Sequence, residues 1–131
     1  MKFYVASGFQ NKEQVRFVAA ELLKYGWYHT YDWTQNNRAN SLEDLQRIGI
    51  LEKDAVAQSD LVIVLLPGGK GCHIELGMAI AGNKKIFLYS PDQMVMNMET
   101  TSTFYHLPEV DIYLGTIEEL VEKVKATFVK F

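Results

Sequence analysis

Two kinds of apolar pattern alternate along the chain. Short apolar or aromatic runs predict five β-strands, at residues 2–6, 27–33, 61–66, 85–89 and 110–114. Apolar residues at helical spacing predict four helices between and after them: one that follows Phe9 and ends at Gly26, then 41–58, 73–81 and 116–128. Residues 90–108 have no clear period, and we predict a loop there.

Capping residues support the helix boundaries. Ser41 precedes the second helix and Asp44 follows three residues later, a variant of the capping box that uses Asp in place of Glu or Gln. Thr116 and Glu119 have the same spacing before the last helix. Gly82 is a plausible stop for the third helix.

The alternation of strands and helices predicts the fold class. It favours an α/β, flavodoxin-like or Rossmann-like three-layer fold with a mostly parallel five-stranded sheet. The continuous apolar run at residues 61–66 is typical of a central strand covered on both faces. With 131 residues and no linker, the chain is predicted to form a single domain over 1–131. In such sheets ligands bind at the carboxyl ends of the strands, near the topological switch point.

Composition narrows the class of protein further. The hydrophobic fraction of 48% and the charged fraction of 22% are typical of a soluble globular protein, and the net charge of −3 argues against a nucleic-acid polymer as partner. The single cysteine, Cys72, excludes an internal disulfide. No apolar run is long enough for a membrane helix and the first residues do not resemble a signal peptide, so we expect a cytoplasmic protein.

Two glycine-containing turns are candidate ligand loops. Ser7-Gly8-Phe9 follows the first strand and precedes a helix, where backbone N–H groups are free for an anion, although an ordinary turn has the same form. The turn at 67–71 includes Gly69 and Gly71, which allow close approach of a sugar or phosphate. Neither turn matches the dinucleotide or P-loop fingerprint.

Carboxylates near these turns are the candidate chemical groups. Glu75 follows the second turn and is expected in the first turn of the third helix, where the helix dipole favours its ionised, nucleophilic form. Asp54 borders the apolar face of the second helix, and a solvated surface aspartate is the competing interpretation. Asp32 and Trp33 end the second predicted strand and could hold a ligand hydroxyl beside an aromatic platform. The three histidines lack metal-ligand spacing, so we expect no metal.

Several of these segments together resemble one family. Residues 61–67 followed by Gly-Cys-His-Ile-Glu-Leu-Gly-Met-Ala at 71–79 are similar to the hallmark of nucleoside 2-deoxyribosyltransferases and of the related deoxynucleoside 5'-monophosphate N-glycosidases. Residues 3–9, Phe-Tyr-Val-Ala-Ser-Gly-Phe, resemble the first strand of that family. Asp54 and Asp60, ahead of the third strand, fit its pattern too. The resemblance spans most of residues 2–90.

The resemblance implies an enzyme that cleaves or transfers at an N-glycosidic bond without a cofactor. Glu75 would attack the anomeric carbon, Tyr4 would hold Glu75, and Asp54 would handle protons at the base. The residues expected to bind the nucleoside or nucleotide are Ser7, Gly8, Phe9, Asp32, Trp33, Gly69, Gly71, His73 and Ser102.

The resemblance also has a departure and leaves alternatives open. Gly69 stands where the transferases carry an aspartate and the monophosphate hydrolases a serine, so the substrate stays open. The apolar second helix and the Met-rich segment at 94–98 predict a homo-oligomer, at least a dimer. The resemblance implies the same, with a neighbouring subunit that completes the site. A non-catalytic nucleotide-sensing module of the same fold is the main alternative. A flavodoxin or a receiver domain fits less well, because only Ser7 supplies a hydroxyl after strand one and no aspartate ends strand three.

Overall fold

The protein is a three-layer α/β domain. A computed structural model describes residues 1–129. Its strands are β1 (Lys2–Ser7), β2 (Tyr28–His29), β3 (Leu61–Leu65), β4 (Lys85–Ser90) and β5 (Val110–Leu114). Its α-helices are α1 (Lys12–Lys24), α2 (Leu42–Gln58), α3 (Lys70–Ala81) and α4 (Ile117–Thr127).

The five strands form one sheet in the order β2-β1-β3-β4-β5, and every neighbouring pair is parallel. Helix α1 packs beside α4, and α2 packs beside α3. Because parallel crossovers are right-handed, the two helix pairs cover opposite faces of the sheet. The predicted fold class is therefore confirmed, and the sheet is parallel throughout.

The centre of the sheet is the core. All five residues of β3 are buried, as the continuous apolar run predicted, and residues 3–6 of β1 beside it are buried too. The chain direction reverses between β1 and β3, since β2 lies outside β1 while β3 begins the other half of the sheet. That reversal makes the carboxyl ends of β1 and β3 the topological switch point.

Two predicted helix starts are confirmed in atomic detail. The Ser41 hydroxyl accepts a hydrogen bond from the Asp44 N–H at 3.0 Å. Thr116 and Glu119 form a complete capping box, with each side chain accepting from the backbone N–H of the other residue. Each cap satisfies a backbone donor that the first helical turn leaves free.

The second strand is much shorter than predicted. Residues 27–33 were expected to form a strand, but only Tyr28 and His29 pair with β1, at the edge of the sheet. Beyond them the Asp32 carboxylate accepts from the Thr34 N–H at 3.0 Å, and the chain turns into a short 3₁₀ helix, Trp33–Gln35. This turn buries the Trp33 ring, whose Nε1 donates to the Val5 carbonyl at 2.8 Å. Burial of an aromatic ring thus overrides the local preference for a strand.

Helix α3 begins three residues earlier than expected, at Lys70 instead of His73. Glu75 therefore lies in the second turn of α3, beyond the first turn in which the helix dipole acts strongly. The predicted dipole stabilisation of its ionised form is wrong for this reason.

Candidate active site

A cavity of about 760 Å³ opens at the switch point, between the loop after β1, the start of α3 and one face of α2. Residues from four parts of the chain line it: Ser7, Gly8, Phe9 and Gln10; Trp33, Asn36, Asn37, Arg38 and Ala39; Leu45, Ile48 and Glu52; Gly68, Gly69, Lys70, Gly71, Cys72 and Glu75. A volume of this size accommodates a nucleotide-sized ligand.

Three side chains form a hydrogen-bonded chain at the inner wall of the cavity. The buried Tyr4 hydroxyl donates to Glu75 Oε2 at 2.7 Å and lies 3.2 Å from Glu52 Oε2. Tyr4 is fully buried in β1, Glu75 comes from α3, and Glu52 comes from α2. Glu75 Oε1 has no hydrogen-bond partner among residues 1–129 and is not one of their buried unpaired atoms, so it remains accessible from the cavity.

Burial dominates the electrostatics of this chain. It raises the pKa of Glu75 to about 8, with a hydrogen bond from Tyr4 acting in the opposite direction and the charge of Glu52 adding to the rise. Burial, together with the two neighbouring carboxylates, also raises the pKa of the Tyr4 hydroxyl above its ordinary range. Tyr4 therefore stays protonated at every working pH, and Glu75 keeps a proton near neutrality.

Asp54 does not reach this site. It is exposed on α2 and does not line the cavity, whereas Glu52 does. Two residues of a helix with 3.6 residues per turn differ by about 200° in direction, so Asp54 and Glu52 lie on nearly opposite faces. The carboxylate of this part of α2 that faces the cavity is thus Glu52, two residues before Asp54. The sequence does hold a signal for Glu52, because it is the one acidic residue at helical spacing from the apolar Leu45 and Ile48.

The other expected substrate-binding residues divide into two groups. Ser7, Gly8, Phe9, Trp33, Gly69 and Gly71 all line the cavity. Phe9 is 61% exposed, and its ring packs edge-to-face on Trp33 at a centroid distance of 5.7 Å. Open space lies beside the Cα atoms of Gly69 and Gly71, as a close approach of a ligand requires.

Asp32, His73 and Ser102 lie outside the cavity lining. Asp32 and Ser102 cap short 3₁₀ helices, accepting from the Thr34 and Phe104 N–H groups respectively. The His73 ring is hydrogen-bonded to the Tyr105 hydroxyl at 2.6 Å and faces a separate cavity of about 320 Å³ on the other side of the β3–α3 turn. In the described chain these three side chains make contacts within the protein and do not line this cavity.

Residues 1–129 contain neither a group of metal-ligand side chains nor a membrane-spanning helix. No three His, Cys, Asp or Glu side chains are grouped so that they could share a metal ion. None of the helices combines the length and apolar character that a membrane crossing needs.

The fold and the site define an α/β protein with a paired-carboxylate cavity at its switch point, and comparison with known proteins gives the family. The nucleoside 2-deoxyribosyltransferase family matches residues 3–121, so the chain belongs to that family. No curated protein sequence matches it.

Two solved structures share the fold. One is the CMP N-glycosidase BcmB of Clostridium botulinum, with 22% identity, a TM-score of 0.64, and 95% of this chain and 99% of that chain covered. Another is a conserved protein from Enterococcus faecalis V583, with 19% identity, a TM-score of 0.62, and 98% and 99% covered. At these identities the likeness shows the fold alone.

Proposed function

We propose that this protein cleaves the N-glycosidic bond of a nucleoside or nucleotide through a covalent glycosyl-Glu75 intermediate. The observation that carries the proposal is the Tyr4 hydroxyl, which links a buried nucleophile candidate, Glu75, to a second carboxyl, Glu52, at the wall of a nucleotide-sized cavity. Retaining glycosidases use two carboxyl groups that flank the reacting carbon. Membership of an enzyme family that handles nucleosides supports the same conclusion.

In the first step the accessible Oε1 of Glu75 attacks C1' of the sugar, and the bond from C1' to the base nitrogen breaks. The electron pair of that bond stays on the base, which takes a proton from the Glu52 carboxyl. Protonation matters because a nucleobase anion is a poor leaving group. The products of this step are a neutral base, a glycosyl ester on Glu75 and an ionised Glu52.

In the second step a nucleophile attacks C1' and the ester bond to Glu75 breaks. When that nucleophile is water, Glu52 accepts its proton and the result is hydrolysis. When it is a second base, its ring nitrogen bonds to C1', its N–H proton goes to Glu52 and the result is transfer. In both reactions Glu52 recovers the proton that it gave to the leaving base. The same two glutamates can therefore carry out hydrolysis and transfer.

Tyr4 explains how the pair reaches the reactive state. Its hydroxyl has one hydrogen, so it donates to one glutamate while accepting a hydrogen bond from the other when that one is protonated. Burial holds the proton on Glu75 in the resting protein, so the reactive state forms when Glu75 passes that proton to the Tyr4 oxygen while Tyr4 passes its own to Glu52. Glu75 is then ionised and Glu52 is protonated. The positive charge that develops at C1' in the transition state also favours an ionised Glu75.

We also propose that the protein is a homo-oligomer, at least a dimer. No residue between positions 42 and 54 of α2 is buried, and several large apolar side chains there are exposed. They are Leu42, Leu45, Ile50 and Leu51, with Ile74 exposed on the neighbouring α3. A second copy packed on this face would remove that surface from water.

The decisive experiment is incubation of the purified protein with a panel of nucleosides and nucleoside monophosphates, with and without an added free base. Base released without an acceptor indicates hydrolysis, and base exchange indicates transfer. Glu75→Gln should abolish either reaction while the circular dichroism spectrum is unchanged. Binding of these compounds without any release or exchange would reject the enzyme in favour of a nucleotide sensor.

A further inference from the structure

Two hydrogen bonds behind the active-site cavity join the segment 90–108 to the start of α3. His73 lies in the first turn of α3, and its Nδ1 lies 2.8 Å from the Gly69 carbonyl oxygen. Its Nε2 lies 2.6 Å from the hydroxyl of Tyr105, which is buried in the short 3₁₀ helix Thr103–His106. The two contacts connect a buried tyrosine with a backbone group of the cavity wall, because Gly69 lines the active-site cavity.

The chemistry of the three groups gives the direction of both hydrogen bonds. A carbonyl oxygen can only accept, so the proton of the neutral His73 ring lies on Nδ1 and is donated to Gly69. Nε2 then has a free lone pair and accepts from the Tyr105 hydroxyl. Tyr105 thus favours the tautomer in which His73 can hold Gly69.

The turn that contains Gly69 has few other restraints. The Gly69 carbonyl accepts the His73 N–H at 3.2 Å, as a first backbone hydrogen bond of α3. Gly69 provides no side-chain cap, and Gly68 and Gly71 lie beside it in the cavity wall. Glycine loses more conformational freedom than any other residue when the chain is ordered. The His73 ring therefore restrains a helix start that is prone to fray.

Tyr105 is a fixed anchor, because the segment around it is held by its own hydrogen bonds. The hydroxyls of Ser90 and Thr100 each donate to a backbone carbonyl, at 2.8 and 3.0 Å. The Asp92 carboxylate accepts from the Met94 N–H at 2.9 Å. These side chains line the cavity of about 320 Å³ beside His73, and their contacts within the protein indicate a supporting role for this part of the chain.

We infer that His73 and Tyr105 are positioning residues, which hold the turn at Gly69 in the shape that binds the substrate. The inference rests on the proposed function, because it treats this turn as part of the substrate site. Glu75 is held separately, by burial and by the 2.7 Å contact with Tyr4. Loss of the His73 contact should weaken binding, because the ligand must then order the turn itself, and should leave the chemical step unchanged.

Steady-state kinetics of base release test this separation. His73→Ala should raise KM by about tenfold, since a hydrogen bond that orders the site is lost, and should change kcat by less than about twofold. His73→Asn should recover most of the loss, because its amide N–H can donate to the Gly69 carbonyl. Tyr105→Phe should raise KM by about threefold in the unmodified protein and not at all in the His73→Ala background. Tyr113→Phe is the matched control, since it removes a tyrosine hydroxyl that donates to Glu119, and should leave both values unchanged.

Hydrogen exchange followed by NMR tests the restraint without turnover. In His73→Ala the amides of residues 73–75 should exchange faster while those of β3 keep their rates, because only the start of α3 is released. Equally faster exchange in β3, or a lower kcat with unchanged KM, would show a general loss of folding and overturn the inference. Unchanged exchange at residues 73–75 would overturn it as well.

Failure of this inference is distinguishable from failure of the proposed function. Exchange at residues 73–75 that depends on His73, without base release from any compound, would keep the restraint on the turn and refute the glycosidase. Base release by the unmodified protein, with neither KM nor the exchange changed in His73→Ala, would refute the positioning role and keep the glycosidase.

Discussion

Replacing Glu75 by glutamine should stabilise the protein, and the gain should grow with pH. The pKa of Glu75 in the folded protein is about 8, against an ordinary value of 4.5, chiefly because the side chain is buried. The folded protein therefore holds a proton on this residue over a pH range in which the unfolded chain has lost it. Its contribution to stability is fully present below about 4.5 and is lost as the pH rises to about 8.

The size of the effect follows from that difference in pKa. At about 1.4 kcal/mol per pKa unit, ionising Glu75 destabilises the fold by about 5 kcal/mol at alkaline pH. Glutamine keeps the shape of the protonated side chain and cannot ionise. The two proteins should thus have similar stability near pH 4.5 and differ most above pH 8.

The assay is urea unfolding followed by circular dichroism, with both proteins measured side by side from pH 4.5 to pH 9. All other titrating groups are common to the two proteins and largely cancel in the difference. Asp54→Asn makes the same charge change at an exposed position and should stay within about 0.5 kcal/mol of the unmodified protein at each pH. A Glu75→Gln advantage that is constant with pH, or that shrinks as the pH rises, would refute the argument from burial.

Three more predictions concern catalysis and assembly. The value of kcat/KM should fall as the pH rises through about 8, because Glu75 then loses the proton that reaches the leaving base through Tyr4 and Glu52. A rate that keeps rising there would exclude this proton path. Glu52→Gln should slow release of natural bases by about 10²–10⁴-fold and release of a nitrophenolate much less, whereas Asp54→Asn should change neither. Equal losses on both leaving groups would remove Glu52 from the acid role. Ile50→Lys, on the exposed face of α2, should lower the mass measured by light scattering to that of a monomer, and an unchanged mass would show that this face is not the interface.

Most strands and helices of the fold could be predicted from the sequence, because each depends on a local pattern of residues. The buried run at 61–66 and the caps at Ser41 and Thr116 depend on residues close together in sequence, and the structure confirms each. The edge strand was not predictable in length, since residues 27–33 have strand-forming side chains. What ends the strand is a tertiary contact, the burial of Trp33 against Val5 of β1.

The candidate site was predictable at Tyr4 and Glu75 but not at Glu52. The first two stand in motifs whose order in the sequence carries the resemblance. For the third residue, the family pattern pointed to an aspartate near the end of α2, and both Glu52 and Asp54 lie within that turn. Only the rotation of α2 about its axis decides which side chain faces the cavity, and that rotation is set by packing between α2, α3 and β1.

The position of Glu52 connects the proposed proton transfer with the proposed homo-oligomer. Within α2 only Ala55 and Val56 are buried, both C-terminal to Glu52, while the preceding turns lie at the surface. An isolated helix of this length is marginally stable in water, so a second copy packed on the exposed first turns of α2 would stabilise them. Tyr4 and Glu75 are fixed by the core, but the 3.2 Å contact of Glu52 to Tyr4 depends on that partly supported helix. A second copy that covers Ile50 would therefore hold the proton donor at its working distance, which is why a variant that separates the copies should also release base more slowly.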